Sequence, residues 1–260
     1  MDLGLAGRSV LITGASQGIG EGLAHAFGAE GCDLFLIARN AEKLSRVALD
    51  VSSAYGVEAR CLPLDLTSTC AIDSIMEFAS SVDVLVNNAG AIPGGTLWDI
   101  DSAAWRAGWD LKVFGYIDLT RAMYLAMKRR ARGVILNNIG NGGENVDFHY
   151  IAGSTGNAAL MAFTRALGGR SLDDGIRVLG INPGPVDTER IRSVVRERAA
   201  RMPGEGDHAA EILAGYPLGR PASVSEVADL FVYLASDRAG YTSGTIVTVD
   251  GGLASKRSIT

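Results

Sequence analysis

The sequence predicts a doubly wound α/β fold: a single domain whose seven-stranded parallel sheet carries helices on both faces. Three observations point there. Short apolar runs rich in Val, Ile and Leu alternate with helical stretches along the whole chain. A glycine-rich turn joins the first such run to the first helix. No Pro/Ser-rich linker and no internal repeat of roughly 20–50 residues divides the chain, so residues 1–260 read as one domain.

Residues 9–13 read as a buried strand and 18–31 as the helix returning over it. Residues 33–38 form a second strand, followed by a helix over 43–55. A third strand over 59–64 precedes a helix over 68–81. Strands over 82–87, 133–139, 177–182 and 245–249 complete the series. Two long helical patterns, 105–128 and 150–167, should pack together or across a subunit boundary, and Leu160, Phe163 and Leu167 read most simply as core. The segment 191–201, with the residue before it, carries Arg190, Arg192, Arg196, Arg198 and Arg201, followed by a mobile-looking 202–208. It reads either as a solvated helical face partnered by Glu189 and Glu197, or as part of a substrate lid over about 187–217 that attracts an anion.

Composition narrows the function. Hydrophobic residues make up 47% of the 260, enough for a sizeable core, and the formal net charge of −5 argues against a nucleic-acid or anionic-membrane partner. Cys32, Cys61 and Cys70 form neither a CxxC pair nor a ligand cluster, so no metal site or disulfide framework is expected. No apolar run approaches the ~18–20 residues of a membrane span. Met1 to Arg8 contains Asp2 and leads straight into the first strand, leaving no room for a signal peptide, so a cytoplasmic protein is expected. Glycine stands out: 33 residues, about 13% of the chain against a typical share of roughly 7%, concentrated at the ends of apolar runs.

The first of those ends reads Thr13-Gly14-Ala15-Ser16-Gln17-Gly18-Ile19-Gly20. Gly14 allows a tight turn, Gly18 a close approach of backbone to a pyrophosphate, and Gly20 close packing of helix on strand. Free N–H groups at the helix start then face the anion. Placed between strand and helix, this is a dinucleotide-binding pattern.

With these residues the sequence resembles the short-chain dehydrogenase/reductase (SDR) family, a Rossmann fold, over nearly its whole length. Residues 13–20 match the family's TGxxxGxG turn, and Asp65 its adenine-contacting acid, with Leu66 beside it. Asn87-Asn88-Ala89-Gly90 match NNAG, 183–188 match PGxVxT, and Asp250-Gly251-Gly252 match the C-terminal DGG. The resemblance implies a nicotinamide cofactor held by Gly14, Ser16, Gln17, Gly18, Ile19, Gly20, Asn88, Ala89, Gly90, Asn157, Pro183, Gly184, Val186 and Thr188. Ala38 and Arg39 stand at the end of the second strand in place of the Asp that selects NAD. Arg39 with the Ser16 hydroxyl favours the 2′-phosphate of NADP over NAD. Family members are commonly dimers or tetramers, so a homodimer or homotetramer acting on a small molecule is expected.

The catalytic positions depart from the pattern. The family uses a Ser, a Tyr and Lys in YxxxK, and an Asn on a neighbouring helix. Aligned on the fifth strand, Gly140 stands at the Ser position, Gly153 at the Tyr and Asn157 at the Lys. Aligned on 111–122, Lys112 stands at the Asn position. Lys112 and Asn157 thus exchange residue types, which could keep a cation near the nicotinamide ribose. Tyr150, one helical turn before Gly153, becomes the candidate proton donor, with His149 as competitor and Asn141 as a carbonyl donor. The expected function is an SDR-type NAD(P)-dependent oxidoreductase with a non-standard active site, working on a carbonyl/alcohol pair. Two alternatives remain: a lyase- or isomerase-type enzyme using Glu144, Asp147 or His149 as base, or a catalytically inactive cofactor binder. His25 and His208 lack a motif and are assigned no role.

Overall fold

The computed structural model describes residues 1–200, 202–203 and 207–256. Seven strands, β1 (Ser9–Thr13), β2 (Asp33–Ala38), β3 (Ala59–Pro63), β4 (Val84–Asn87), β5 (Gly133–Asn138), β6 (Ile176–Pro183) and β7 (Ile246–Val249), form one sheet in the order β3-β2-β1-β4-β5-β6-β7. Every neighbouring pair is parallel.

Such strands need apolar residues on both faces, and the sequence supplies them by alternation. One face gathers Val10, Ile12, Leu34, Leu36, Val86 and Leu136 beneath α1 (Gly18–Ala29), α2 (Ala41–Tyr55) and α9 (Val224–Ala235). The other gathers Leu11, Ile37, Leu85, Ile135 and Val178 beneath α3 (Ala71–Ala79) and α5 (Gly115–Arg129). α6 (Ile151–Gly168) lies farther along that face, with Leu160 fully buried and Leu167 partly.

The strand order reverses between β1 and β4, and that crevice at the strands' C-terminal ends is where doubly wound sheets bind ligands. A buried amide–hydroxyl ladder braces it. Asn87 Nδ2 donates to Thr120 Oγ1 (3.0 Å) and Asn137 Oδ1 (2.9 Å), and Asn137 Nδ2 donates to Thr164 Oγ1 (2.9 Å), tying β4 and β5 to α5 and α6.

Several boundaries differ from expectation for local reasons. α2 starts at Ala41 because the Asn40 side chain caps it, accepting from the Lys43 amide at 2.9 Å. α3 is shorter than 68–81: Ser68 and Ala71 amides are taken by the Asp65 and Ser68 carbonyls in tight turns. The long pattern at 105–128 is one continuous helical rod containing a defect. α4 (Ser102–Trp109) passes into a π-helical segment (Asp110–Phe114) before α5, and the Gly115 amide reaches back five residues to the Asp110 carbonyl. That rod packs on α6 as expected, through Val113, Tyr116, Leu160 and Met161, and Trp109 Nε1 donates to the Ala152 carbonyl at 3.0 Å.

Beyond β6 come α7 (Glu189–Ala199) and α8 (His208–Ala214). Both helices fall in the segment expected to form a lid, and Arg201 lies outside the described residues.

Candidate active site

A cleft of about 1680 Å³ runs along the C-terminal ends of the strands, from Arg39 at the tip of β2 to Lys112, Tyr150 and Asn157. Its floor at one end is the glycine turn. Gly14 has φ +67°, and a Cβ there would lie 2.9 Å from Ala89 Cα. A Cβ on Gly20 would lie 2.1 Å from the Gly14 carbonyl oxygen. Turn, helix start and the 87–90 loop are thus in contact at distances only glycine tolerates.

Thr13 and Asn88 fix this contact. Thr13 Oγ1 accepts the Asn88 and Ala89 amides at 2.9 and 3.0 Å. Asn88 Nδ2 returns to the Thr13 carbonyl at 2.9 Å, and Asn88 Oδ1 accepts from Asn138 Nδ2 at 2.7 Å. The result is a rigid cradle whose α1 N-terminus points into the cleft.

Of the residues expected to hold a cofactor, Gly14, Ser16, Gln17, Gly18, Ile19, Gly20, Arg39, Leu66, Asn88, Ala89, Gly90, Asn157, Pro183, Gly184 and Thr188 line the cleft. Two stand back from it. Val186 is buried behind Thr188 and bridges to Ala222. The Asp65 carboxylate accepts the Thr67 amide (2.9 Å) and hydroxyl (2.7 Å), which hold it below the usual carboxylate range, and lies 3.9 Å from Arg39. The sequence reading missed Lys43, which lines the same end and donates to Gln17 Oε1 at 3.0 Å. The available signal was its place one turn into the helix capped by Asn40.

At the other end the candidate catalytic residues meet. Lys112 lies on the π segment, its stem against Gly90, where a Cβ would come within 2.8 Å of Lys112 Cδ. Its Nζ donates to the Ile139 carbonyl and, at 3.0 Å, to Asn157 Oδ1. Burial first, and the Arg190 guanidinium second, push the Lys112 ammonium down to about 7. Because a lysine can only donate, Asn157 must turn its oxygen toward Lys112. Its Nδ2 therefore faces the glycine floor, 3.3 Å from where a Gly140 Cβ would stand.

Tyr150 precedes α6, and its ring lies on Gly153: a Cβ there would fall 1.9 Å from Tyr150 Cζ. Among the described residues its hydroxyl has no hydrogen-bond partner, and the ring lines the cleft. His149 sits at the rim, exposed, its ring edge-on to Phe148. Asn141 lines the cleft with Nδ2 held by Asp250 Oδ2 at 3.3 Å. Glu144, a candidate base, is absent from the lining; it accepts the Thr248 hydroxyl at 2.8 Å. Asp147 does line it.

The arginine row divides. Arg192 pairs with Asp187 and Arg196 with Glu189, while Arg190 and Arg198 line the cleft. Glu197 is partnered by the Ser193 hydroxyl. Among the described residues no cluster of metal-ligating side chains exists and no helix is long and apolar enough to cross a membrane. The three cysteines are free.

Residues 14–254 match a family model described as enoyl-(acyl carrier protein) reductase. The chain is 31% identical over 259 residues to dehydrogenase/reductase SDR family member 6 of Aquarana catesbeiana, covering 95% of this chain and 98% of the relative. It is 29% identical to 7α-hydroxysteroid dehydrogenase of Escherichia coli K12, covering 96% of each. L-sorbose reductase of Gluconobacter frateurii, solved with NADPH and L-sorbose, superposes with a TM-score of 0.90 at 30% identity, over 99% of this chain and all of that one. A match of this extent in both sequence and backbone shows that the chain belongs to the short-chain dehydrogenase/reductase family, the NAD(P)-dependent oxidoreductases of the Rossmann fold.

Proposed function

We propose that the chain is an NADP(H)-dependent oxidoreductase that interconverts a carbonyl and an alcohol with a rearranged set of catalytic side chains. One observation carries this reading: a single cleft joins the glycine cradle and Arg39 to Lys112, Asn157 and Tyr150. The cradle suits a dinucleotide, since glycine clears the path of a pyrophosphate at the α1 N-terminus. Arg39 and Lys43 at the far end suit a 2′-phosphate. L-sorbose reductase, which binds NADPH in its solved structure, supports the same preference.

When bound, the cofactor supplies the hydride. This chain's residues then have three tasks. Asn157 Nδ2, facing the Gly140–Gly142 floor, and Asn141 are placed to donate to the substrate oxygen. The Tyr150 phenol, lying over Gly153, delivers the proton that this oxygen takes up as the carbonyl is reduced. Lys112 supplies positive charge from the π segment, across from Asn157 on α6. In the opposite direction the phenolate accepts the alcohol proton.

The test is NADPH oxidation, followed by absorbance, against a panel of aldehydes and ketones. Turnover that falls at least 100-fold in Tyr150→Phe supports the assignment. If Tyr150→Phe and His149→Ala both leave turnover unchanged, the proposed proton donors are wrong. Product formed from a carbonyl compound without NADPH oxidation would favour a lyase or isomerase, with Asp147 or His149 as base.

A further inference from the structure

The reactive end of the cleft holds two cations, Lys112 and Arg190, that form no ion pair with a carboxylate among the described residues. Lys112 Nζ is satisfied only by neutral acceptors, the Ile139 carbonyl and Asn157 Oδ1. Arg190, in the first turn of α7, donates to the Ile92 carbonyl at 3.3 Å, again a neutral group. Its neighbours on the helix are paired with Asp187 and Glu189, so Arg190 is the member of that turn left facing inward.

Carboxylates do line the cleft, yet each is engaged elsewhere. Glu189 is held by Arg196, Glu197 by the Ser193 hydroxyl, Asp147 by the His149 amide, and Asp99 by the amide and hydroxyl of Thr96. Two phenols, Tyr150 and Tyr116, stand at the same end, and burial holds the Tyr116 phenol well above its ordinary range. Arg190 is therefore the charged group that acts on Lys112, and it opposes the ammonium form. A buried lysine ammonium that shares a cavity with a second cation is unfavourable without an anion between them.

We propose that the substrate is an oxo acid, its carboxylate held between Lys112 and Arg190 while its carbonyl faces Tyr150 and Asn157. This rests on the carbonyl-reducing function above and names its substrate class. The dinucleotide's pyrophosphate does not fill the role, because its place is the glycine turn. Binding couples to protonation: a carboxylate beside Lys112 favours the ammonium form, so the complex takes up a proton above neutral pH.

The experiment is calorimetric titration of the full chain saturated with NADP⁺, which prevents turnover. The probes are 2-oxobutyrate and 3-oxobutyrate, each compared with its amide. Each acid should bind at least tenfold more tightly than its amide, and both Lys112→Met and Arg190→Gln should erase the difference. At pH 8 the apparent enthalpy should differ between phosphate and Tris buffers, reporting proton uptake. Equal affinity for acid and amide, with NADP⁺ still bound, overturns the oxo-acid assignment alone, as does a preference that survives both substitutions. Failure of NADP⁺ to bind overturns the underlying function and this inference with it.

Discussion

Replacing Lys112 with Met tests the electrostatics of the reactive end without any ligand. The folded chain holds this ammonium at about 7, against 10.5 for an ordinary lysine. At about 1.4 kcal/mol per pH unit, that gap is worth about 5 kcal/mol, an upper bound because the cleft admits water beside the amine. The sign is destabilising. Between pH 7 and 10.5 the unfolded chain binds more protons than the folded one, so stability rises with pH through that window. Below pH 7 the full penalty applies.

Methionine removes the penalty and also two donors, leaving Asn157 Oδ1 and the Ile139 carbonyl to water or to nothing. That loss costs about 1–3 kcal/mol per group and does not depend on pH. Urea denaturation of both proteins at pH 6.5, 8 and 9.5 separates the two effects. The stability of Lys112→Met relative to the parent should fall by about 3 kcal/mol from pH 6.5 to 9.5. A difference that stays constant across this range would show that Lys112 is an ordinary solvated lysine, refuting the argument for unneutralised charge.

Three further outcomes are expected. Gly153→Ala puts a Cβ 1.9 Å from Tyr150 Cζ and must expel the ring, so NADPH turnover should fall at least ~100-fold while NADPH affinity holds. Arg39→Ala and Lys43→Ala should each weaken NADPH binding by about 10- to 100-fold with little effect on NADH, measured by fluorescence titration. Arg177, 7% exposed, donates to the carbonyls of Leu234, Ala235 and Ser236 and so caps the C-terminus of α9; Arg177→Met should lower urea stability by about 3 kcal/mol.

The sheet was legible because its inner strands are short apolar runs buried on both faces, and the glycine turn because steric demand leaves few alternatives to glycine there. Lys112 and Asn157 were also legible as candidates that should face each other, and Lys112 Nζ does meet Asn157 Oδ1 at 3.0 Å. The π segment was not legible. It has the apolar pattern of the α-helix around it, and nothing in Asp110–Phe114 marks the wider turn that carries Lys112. Lys43 escaped notice because a lysine in a first helical turn is ordinarily solvent-facing; only the fold brings it beside Gln17 and Arg39. Asp65 turned inward on Thr67 for a similarly local reason, an Asx turn that the sequence 65–67 permits but does not require. The division of the arginine row depended on which side of α7 faces the cleft, and that is set by packing around Val195.

The proposed function places a nicotinamide dinucleotide in the cleft with its 2′-phosphate at Arg39 and Lys43. Titrating the purified chain with NADPH and NADH, followed by quenching of tryptophan emission, tests it most directly. NADPH should bind at least tenfold more tightly than NADH. Affinity for neither would contradict the account.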